Sequence, residues 1–523
     1  MSKKPNFLFI VTDQHRADHL GCYGNPTVQT PNIDALAARG TRFDRFYVAN
    51  PICMCNRASI LTSRMPSLHG GRHNGIPLSL ESTTFVDLLR DRGYRTGLIG
   101  KSHIQGMTGL PATAKRQVKP GLDDPSEGLR EASKRLRSGE AYEQETALRW
   151  QQDPDHRVRT PFYGFDHVQI ADDHADLVTG DYAVWLQRNH PEVEALRGPD
   201  NAIPDERYNA PQAWRTQIPE DLYPTSWIAD QSQEFLRNRA REDDPFFLMM
   251  SFPDPHHPFT PPGKYWDMYD PDEVDLPASF GKGDIPPIRN LRKQLAEAPE
   301  TRIGQDPFAV TEREAREIIA LTYGSITMID DAVGRVLKTL EEQGLAEDTI
   351  VVFTSDHGDY MGDHGLMLKL LMHFQGLVRV PFIWFDPRTP DARTVDALHN
   401  ALDIGPTILE TAGIQPFHGV QGVNALMAGH ERQGLIVEED SQRRMAAFER
   451  PQRIRTYLEK DWRITIRYGE DWNEMYDLKN DPDEVVNLWD HPDYSGQQAR
   501  LVQAMLVEMI NLQDRAPLPT YRA

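Results

Sequence analysis

The sequence predicts an α/β fold, a mostly parallel central sheet with helices on both faces, plus a small C-terminal α+β subdomain. Three observations carry this expectation. Continuously apolar runs such as 7–12 (FLFIVT) and 349–354 (TIVVFT) read as strands buried on both faces, where polar alternation is absent. Helical patterns alternate with these runs, the longest over 315–343, and that alternation is the mark of βαβ units. Beyond about residue 430 the pattern changes to strand-like segments (462–468) and an amphipathic helix near 498–512.

The elements follow in order. Strand 7–12 precedes a helix with Thr30 as cap, Pro31 at its first position and Gly40 at its close. A second helix spans 84–92 and ends at Gly93; strands follow at 96–99 and 245–252. The long helix 315–343 leads to strand 349–354, and 380–384 forms one more. Segment 108–159 is rich in charge and poor in apolar residues, so it reads as an insertion, helical in part around 129–137. Segment 253–287 holds many prolines and aromatics and reads as an ordered loop. The expected division is a catalytic α/β domain over 1–430 and a smaller unit over 431–523.

Composition narrows the function. The chain has 523 residues, with 57 Lys+Arg against 78 Asp+Glu, a net charge of −21. A nucleic-acid binder needs a basic footprint, so that class is disfavoured. A local cationic pocket for a small anion remains compatible with the overall acidity. No apolar run approaches the roughly 20 residues that span a bilayer, and no cleavable signal is read at the start, so no membrane partner is expected. Three cysteines (Cys22, Cys53, Cys55) form no disulfide framework and suit a reducing cytoplasm, the expected location.

Chemistry-bearing residues cluster at strand ends. Asp13 and Gln14 follow the first strand; Lys101 and His103 follow 96–99. Asp254, His256 and His257 follow 245–252, and Asp356 and His357 follow 349–354. In a parallel sheet the carboxyl ends of the strands line one crevice, so these positions are expected to converge. Asp13, Gln14, Asp356 and His357 form a plausible shell for one divalent cation. Oxygen ligands suit Ca²⁺ or Mg²⁺, whereas the imidazole pulls towards Mn²⁺. A lone Asp after a strand is more often a turn or cap residue; the joint pattern is what argues for a site. From Asn56 onward the run CMCNRASILTS looks like a helix opening, which places Cys53 at a positive N-terminus that lowers a thiol pKa and binds anions. Cys53 reads as a soft-metal ligand with Cys55, as a buried structural cysteine, or as a modified or nucleophilic residue. His174 and His373 are further pocket candidates beside solvated or structural roles.

The combined motifs resemble the sulfatase family of the alkaline-phosphatase superfamily. Cys53-x-x-x-Arg57 followed by Ala-Ser-Ile-Leu-Thr resembles the signature Cys-x-Pro/Ala-x-Arg, with Cys at position 55 in place of Pro or Ala. Gly100-Lys101-Ser102-His103 is similar to Gly-Lys-Trp-His, and Pro255-His256-His257-Pro258-Phe259 to Pro-His-x-Pro-Phe. Residues 354–359 and 362–365, with Lys369 after them, resemble the second metal segment; 476–482 with Asn487 and Leu488 resemble the C-terminal signature. Gln14 and His357 resemble the branch holding phosphonate monoester hydrolases, phosphodiesterases and choline sulfatases.

The resemblance implies an alkaline-phosphatase-like fold and a sulfuric ester hydrolase, with activity towards phosphonate monoesters or phosphodiesters as the alternative. It implies that a formylglycine-generating enzyme oxidises Cys53 to formylglycine, whose hydrate is nucleophile and metal ligand for one divalent ion, Ca²⁺ or Mn²⁺. Arg57 would hold the hydrate; Lys101 and Lys369 would stabilise charge on the non-bridging oxygens of a small anionic ester. His256, with Lys369, is the candidate acid for the leaving oxygen, and His103 the base that lets the aldehyde re-form and expel sulfate. Asn74 is a candidate donor to a substrate oxygen or a turn residue before glycine. A homo-oligomer, dimer or tetramer, is expected from the phosphonate-hydrolase branch.

Overall fold

The computed structural model describes residues 4–110, 112, 119–123, 137–390, 392–427, 429, 431–445 and 448–522. An eight-stranded sheet forms its centre. Its strands are β1 (Asn6–Thr12), β2 (Thr41–Phe43), β3 (Arg95–Gly100), β4 (His167–Ile170), β5 (Phe246–Ser251), β6 (Thr349–Ser355), β7 (Phe382–Phe385) and β8 (Arg393–Val395). They lie in the order β8-β2-β7-β6-β1-β5-β3-β4. From β6 to β4 every pairing is parallel, while β7 runs antiparallel to both neighbours. The sheet is therefore mostly parallel, as the sequence predicts, with the 380–384 segment reversed in direction and shifted towards Phe385.

β1 is fully buried, which explains its unbroken apolar run. Even and odd positions face opposite layers: Phe7 and Phe9 pack in one core cluster, Leu8 and Ile10 in the other. Burying each such side chain contributes roughly 1.5–3 kcal/mol. Helix α1 (Pro31–Arg39) follows the Pro31 signal, but the Thr30 hydroxyl accepts from Gly21 N and donates to Asp34 instead of capping. Helix α2 (Cys53–Thr62) begins at Cys53, three residues before the expected opening at Asn56, and all ten of its residues are buried. Helix α3 (Phe85–Asp91) starts at a capping box between Thr84 and Asp87, and the 31-residue α5 (Glu312–Glu342) at one between Thr311 and Glu314. α5 packs against α4 (Pro224–Arg239), which the sequence reading left unassigned.

A second sheet of β9 (Leu435–Asp440), β10 (Arg453–Leu458), β11 (Trp462–Arg467) and β12 (Glu474–Asp477) is antiparallel throughout. The C-terminal helix α6 (Ser495–Asn511) packs on β9 and β11. The two sheets communicate through side chains: Leu371 N donates to Glu439 on β9 at 2.8 Å, and His373 bonds both Glu439 and Thr456. His373 is thereby a structural link between the units. Within the charged insertion, a short helix spans Ala147–Gln152; the expected helix around 129–137 lies almost wholly outside the described residues. Segment 253–287 is an ordered loop with short 3₁₀ turns up to residue 285, and its last two residues open an α-helix over Pro286–Glu297.

Candidate active site

Five parallel strands deliver side chains to one crevice at their carboxyl ends. Thr12 pairs with Ser355, Val11 with Ser251, and Gly100 with both Ser251 and Ile170. The residues immediately beyond these positions are therefore neighbours. Gly100 makes the junction possible: its φ is +108°, and a Cβ there would lie 1.9 Å from the Ser251 carbonyl oxygen. Lys101 N instead donates to that oxygen at 2.8 Å.

Asp13, Cys53, Asp356 and His357 are all buried and place ligand atoms within 4.8 Å of one another. That separation is what bonds of about 2.4 Å to a common ion permit. The Nδ1–H of His357 donates to the Gly358 carbonyl at 2.8 Å, which turns Nε2 towards Cys53 Sγ at 3.0 Å. Gln14, in the left-handed region at φ 62°, donates through Nε2 to Asp359 at 2.5 Å. Its Oε1 is buried with no partner among the described residues, an acceptor waiting for a donor or cation. Two carboxylates, an imidazole, an amide oxygen and residue 53 fit one divalent cation.

Three cationic side chains, Arg57, Lys101 and Lys369, surround these carboxylates. Arg57, one turn along α2 from Cys53, donates through Nε to Asp356 Oδ2 at 2.7 Å and through NH1 to the Lys101 carbonyl and Ser251 Oγ, both at 2.9 Å. Its NH2 lies 3.6 Å from Asp13. Arg57 thus ties together residues at four strand ends as well as facing residue 53. Lys101 Nζ is 2.6 Å from Asp13 Oδ2. Lys369 Nζ sits 2.8 Å from Cys53 Sγ and 2.9 Å from both His256 Nε2 and His357 Nε2. Burial alone would raise the Asp13 carboxyl, but Lys101, Lys369, His357 and Arg57 hold it well below the carboxylate range. Burial and Asp13 would raise the Cys53 thiol, yet Lys369 and His357 outweigh them and hold it below its ordinary value.

His256 and His103 are buried and neutral. His256 Nδ1 donates to the His257 carbonyl at 2.6 Å, which turns Nε2 towards the Lys369 ammonium. Burial, then His174 and Lys369, press its pKa well below the ordinary value. His103, buried and with Nδ1 unpartnered among the described residues, is lowered by burial and by Lys101. Both keep a lone pair at neutral pH. Asp254, expected at a strand end, accepts from the Thr225 hydroxyl on α4, and burial raises it to about 6. Asn74 shows no bond to this cluster; its turn rests on Met54, whose sulfur accepts from Gly75 N at 3.2 Å, and its Oδ1 is buried without a partner among the described residues. Cys55 lies in the apolar core, its thiol pushed well up by burial.

The sequence reading missed the fifth strand end. β4 is short and only partly buried, so it lacks the apolar run that revealed the others. Asp172 and His174 follow it. His174 Nε2 is 2.6 Å from Lys101 Nζ, and its ring stacks on His256 with centroids 3.5 Å apart.

Comparison with known proteins agrees with this geometry. The sequence model of the sulfatase family matches residues 5–414. The chain belongs to the sulfatase family. A model of the C-terminal part of N-sulphoglucosamine sulphohydrolase matches residues 362–511 of this sulfatase-family chain. An arylsulfatase of Clostridium perfringens is 32% identical over 429 residues, covering 80% of this chain and 77% of the relative. The multifunctional alkaline phosphatase superfamily protein PehA of Trinickia caryophylli is 27% identical over 431 residues, 79% of this chain and 74% of its own. The crystal structure of the phosphonate monoester hydrolase of Agrobacterium radiobacter superposes with a TM-score of 0.75 at 26% identity, covering 98% of this chain and 97% of that one.

Proposed function

We propose that this sulfatase-family hydrolase cleaves small anionic sulfate monoesters through the site built around Cys53, Asp13, Asp356 and His357. The observation that carries the reading is the placement of Cys53, at the start of a buried helix, among three cation ligands and the Lys369 ammonium. Carried as hydrated formylglycine, residue 53 would supply a hydroxyl nucleophile, and a divalent cation, Ca²⁺ or Mn²⁺, held by Asp13, Gln14, Asp356 and His357 would polarise the ester oxygens.

The chain's own groups do the remainder. Lys101 and Lys369 face the charge that grows on the non-bridging oxygens; being fixed in advance, they require no reorganisation during reaction. Lys369 donates to His256 Nε2, so this pair holds the proton delivered to the leaving oxygen. His103, neutral and with an open lone pair, takes a proton from residue 53 in the step that releases sulfate. Arg57 fixes both carboxylates and the strand ends that carry them. Asn74 is kept as a second donor to the substrate.

Phosphonate monoesters and phosphodiesters are the alternative substrates, favoured by Gln14 and His357 at the cation and by the likeness to the Agrobacterium radiobacter structure. The reading also includes maturation by a formylglycine-generating enzyme, a cytoplasmic location and no nucleic-acid or membrane partner. The net charge of −21 supports the former absence, and among the described residues no helix is long and apolar enough to cross a membrane. Three free cysteines support the location. Assembly into dimers or tetramers is supported by Leu506, Val507 and Ile510, which α6 leaves exposed.

Peptide mass spectrometry across residues 46–57, on protein co-produced with a formylglycine-generating enzyme, tests the nucleophile. An unmodified thiol would overturn it. Matched nitrophenyl sulfate, phosphonate and phosphodiester substrates then separate the two readings, and turnover confined to the phosphorus esters would remove sulfate.

A further inference from the structure

Lys101 is completely buried, yet its charge must point at one place. An ammonium has three N–H donors and no acceptor. Nζ forms an ion pair with Asp13 Oδ2 at 2.6 Å, and one N–H donates to His174 Nε2 at 2.6 Å. Without the second partner, rotation about the Cε–Nζ bond would leave the remaining donor undirected. His174 can accept this bond only through an Nε2 lone pair, which puts its proton on Nδ1, and Asp173 Oδ1 stands 3.3 Å from Nδ1 to receive it. Burial, then the neighbouring Lys101, lower His174 to about 4, so the ring stays neutral and the lone pair available.

The same ring has a second contact. Its face covers His256 with centroids 3.5 Å apart and planes inclined by 15°, and His256 in turn stacks on His257 at 4.1 Å. The edge of His256 is fixed by the His257 carbonyl, and its plane by this stack. One neutral imidazole therefore touches the group that stabilises charge and the group that handles the leaving-group proton. No carboxylate performs this task, although Asp172 and Asp173 precede it. Lys101 is already paired with the Asp13 carboxylate, so a second carboxylate in place of His174 would cancel the positive charge that an anionic ester needs, whereas a neutral imidazole directs the ammonium without adding negative charge.

We propose that His174 is a positioning residue for ester hydrolysis, orienting the Lys101 ammonium through Nε2 and the His256 ring through its face. This inference rests on the proposed function and assigns the fifth strand end a part in it.

Two substitutions divide the roles. His174→Phe keeps an aromatic face but removes the acceptor; His174→Gln keeps an acceptor oxygen but removes the face. Both are compared with the wild type on aryl esters whose leaving phenols span several pKa units, after checking residue 53 by mass spectrometry and metal content by elemental analysis. His174→Phe is expected to lower kcat/KM by about 10–100-fold at every leaving group, the range known for groups that orient a primary ligand. His174→Gln is expected to steepen the dependence on leaving-group pKa, with the largest loss for the poorest leaving group. Wild-type rates in both variants would overturn the role. So would equal losses at every leaving group in both, since a ring that merely fills space would produce that pattern. If His174→Phe fails to fold, the slope measured for His174→Gln alone decides the matter. A wild-type protein inert towards sulfate and phosphorus esters alike would instead sink the functional reading, and that outcome is separate from either variant result.

Discussion

The Lys369 ammonium stands 2.8 Å from the sulfur of Cys53, although 316 residues of chain separate them. It also touches His256 and His357, each at 2.9 Å, so a single cation links the positions proposed as nucleophile, leaving-group acid and cation ligand. Lys369 reaches this point from a segment of unusual backbone: Leu368, Leu370 and Leu371 all have φ between 69° and 92°. Such conformations cost of order 1–3 kcal/mol each for non-glycine residues and persist where surrounding structure enforces them. Glu439 on β9 does so in part, accepting from Leu371 N.

Replacing Lys369 by Ala is expected to lower kcat by about 10²–10³-fold, the loss typical of one preorganised charge-stabilising donor. Lys369→Arg keeps the charge but carries a planar fork too bulky for three close contacts, and should recover little. Steady-state kinetics on nitrophenyl sulfate reads both. A Lys369→Ala enzyme within threefold of the wild type would show that the ammonium is no part of the chemistry.

Arg57→Ala should be the most destabilising single change in the crevice. It leaves Asp356 and Asp13 buried without their guanidinium, and breaking one partner of a buried ion pair costs about 3–5 kcal/mol. Urea unfolding of metal-free protein is the measurement that checks it. A loss below about 1 kcal/mol would mean that Lys101 and Lys369 suffice to hold the carboxylates.

The parts of this site that the sequence revealed have a common cause. Asp13, Lys101, His256 and Asp356 follow strands buried on both faces, and such strands announce themselves as unbroken apolar runs. Their convergence then follows from parallel topology alone. β4 is exposed at His167 and only half-buried at the next two positions, so it gave no such signal and His174 stood as an isolated histidine. Helix α2 began earlier than expected because Cys53 and Met54 carry no capping information; Ile52, an apolar residue with no side-chain bond, occupies the N-cap. Arg57 was legible as a neighbour of Cys53, one turn along. Its bonds to Lys101 O and Ser251 Oγ were not, since those partners lie on other strands.

Metal removal should act on stability as well as activity. The cluster of Asp13, Cys53, Asp356 and His357 exists only in the folded chain, so a bound cation stabilises by mass action, about 2.7 kcal/mol at a hundredfold excess over Kd. Dialysis against a chelator is expected to abolish turnover and lower Tm, and titration with Ca²⁺ or Mn²⁺ to restore both. A Tm that does not respond to either ion would argue against a cation at these four residues.

Leaving-group dependence should expose His256. Good leaving groups need little protonation, so His256→Ala is expected to slow nitrophenyl sulfate by about tenfold and an alkyl sulfate by about 10²–10⁴-fold, the range of general acid catalysis. The comparison of the two rate ratios is the test. Equal ratios would place His256 outside proton delivery.

Stability should fall as pH rises, because of a carboxyl pair beneath the loop that holds His103. Glu145 Oε2 accepts from the Ile104 and Gln105 backbone N–H groups, and Asp172 Oδ1 from Ser102 N. Both acids are buried. Burial, with the neighbouring Asp172, pushes Glu145 up to about 8; burial likewise raises Asp172 to about 6. The unfolded chain releases both protons near pH 4, whereas the folded chain keeps them to higher pH. Stability from these groups is therefore fully present below about pH 4 and is lost progressively as pH rises towards 8. Glu145→Gln supplies a neutral side chain of the same shape, so it removes one of the two titrations. Unfolding midpoints measured at pH 5, 6, 7 and 8 should decline more shallowly in Glu145→Gln than in the wild type. Parallel curves would falsify the assignment of this pH dependence to the pair.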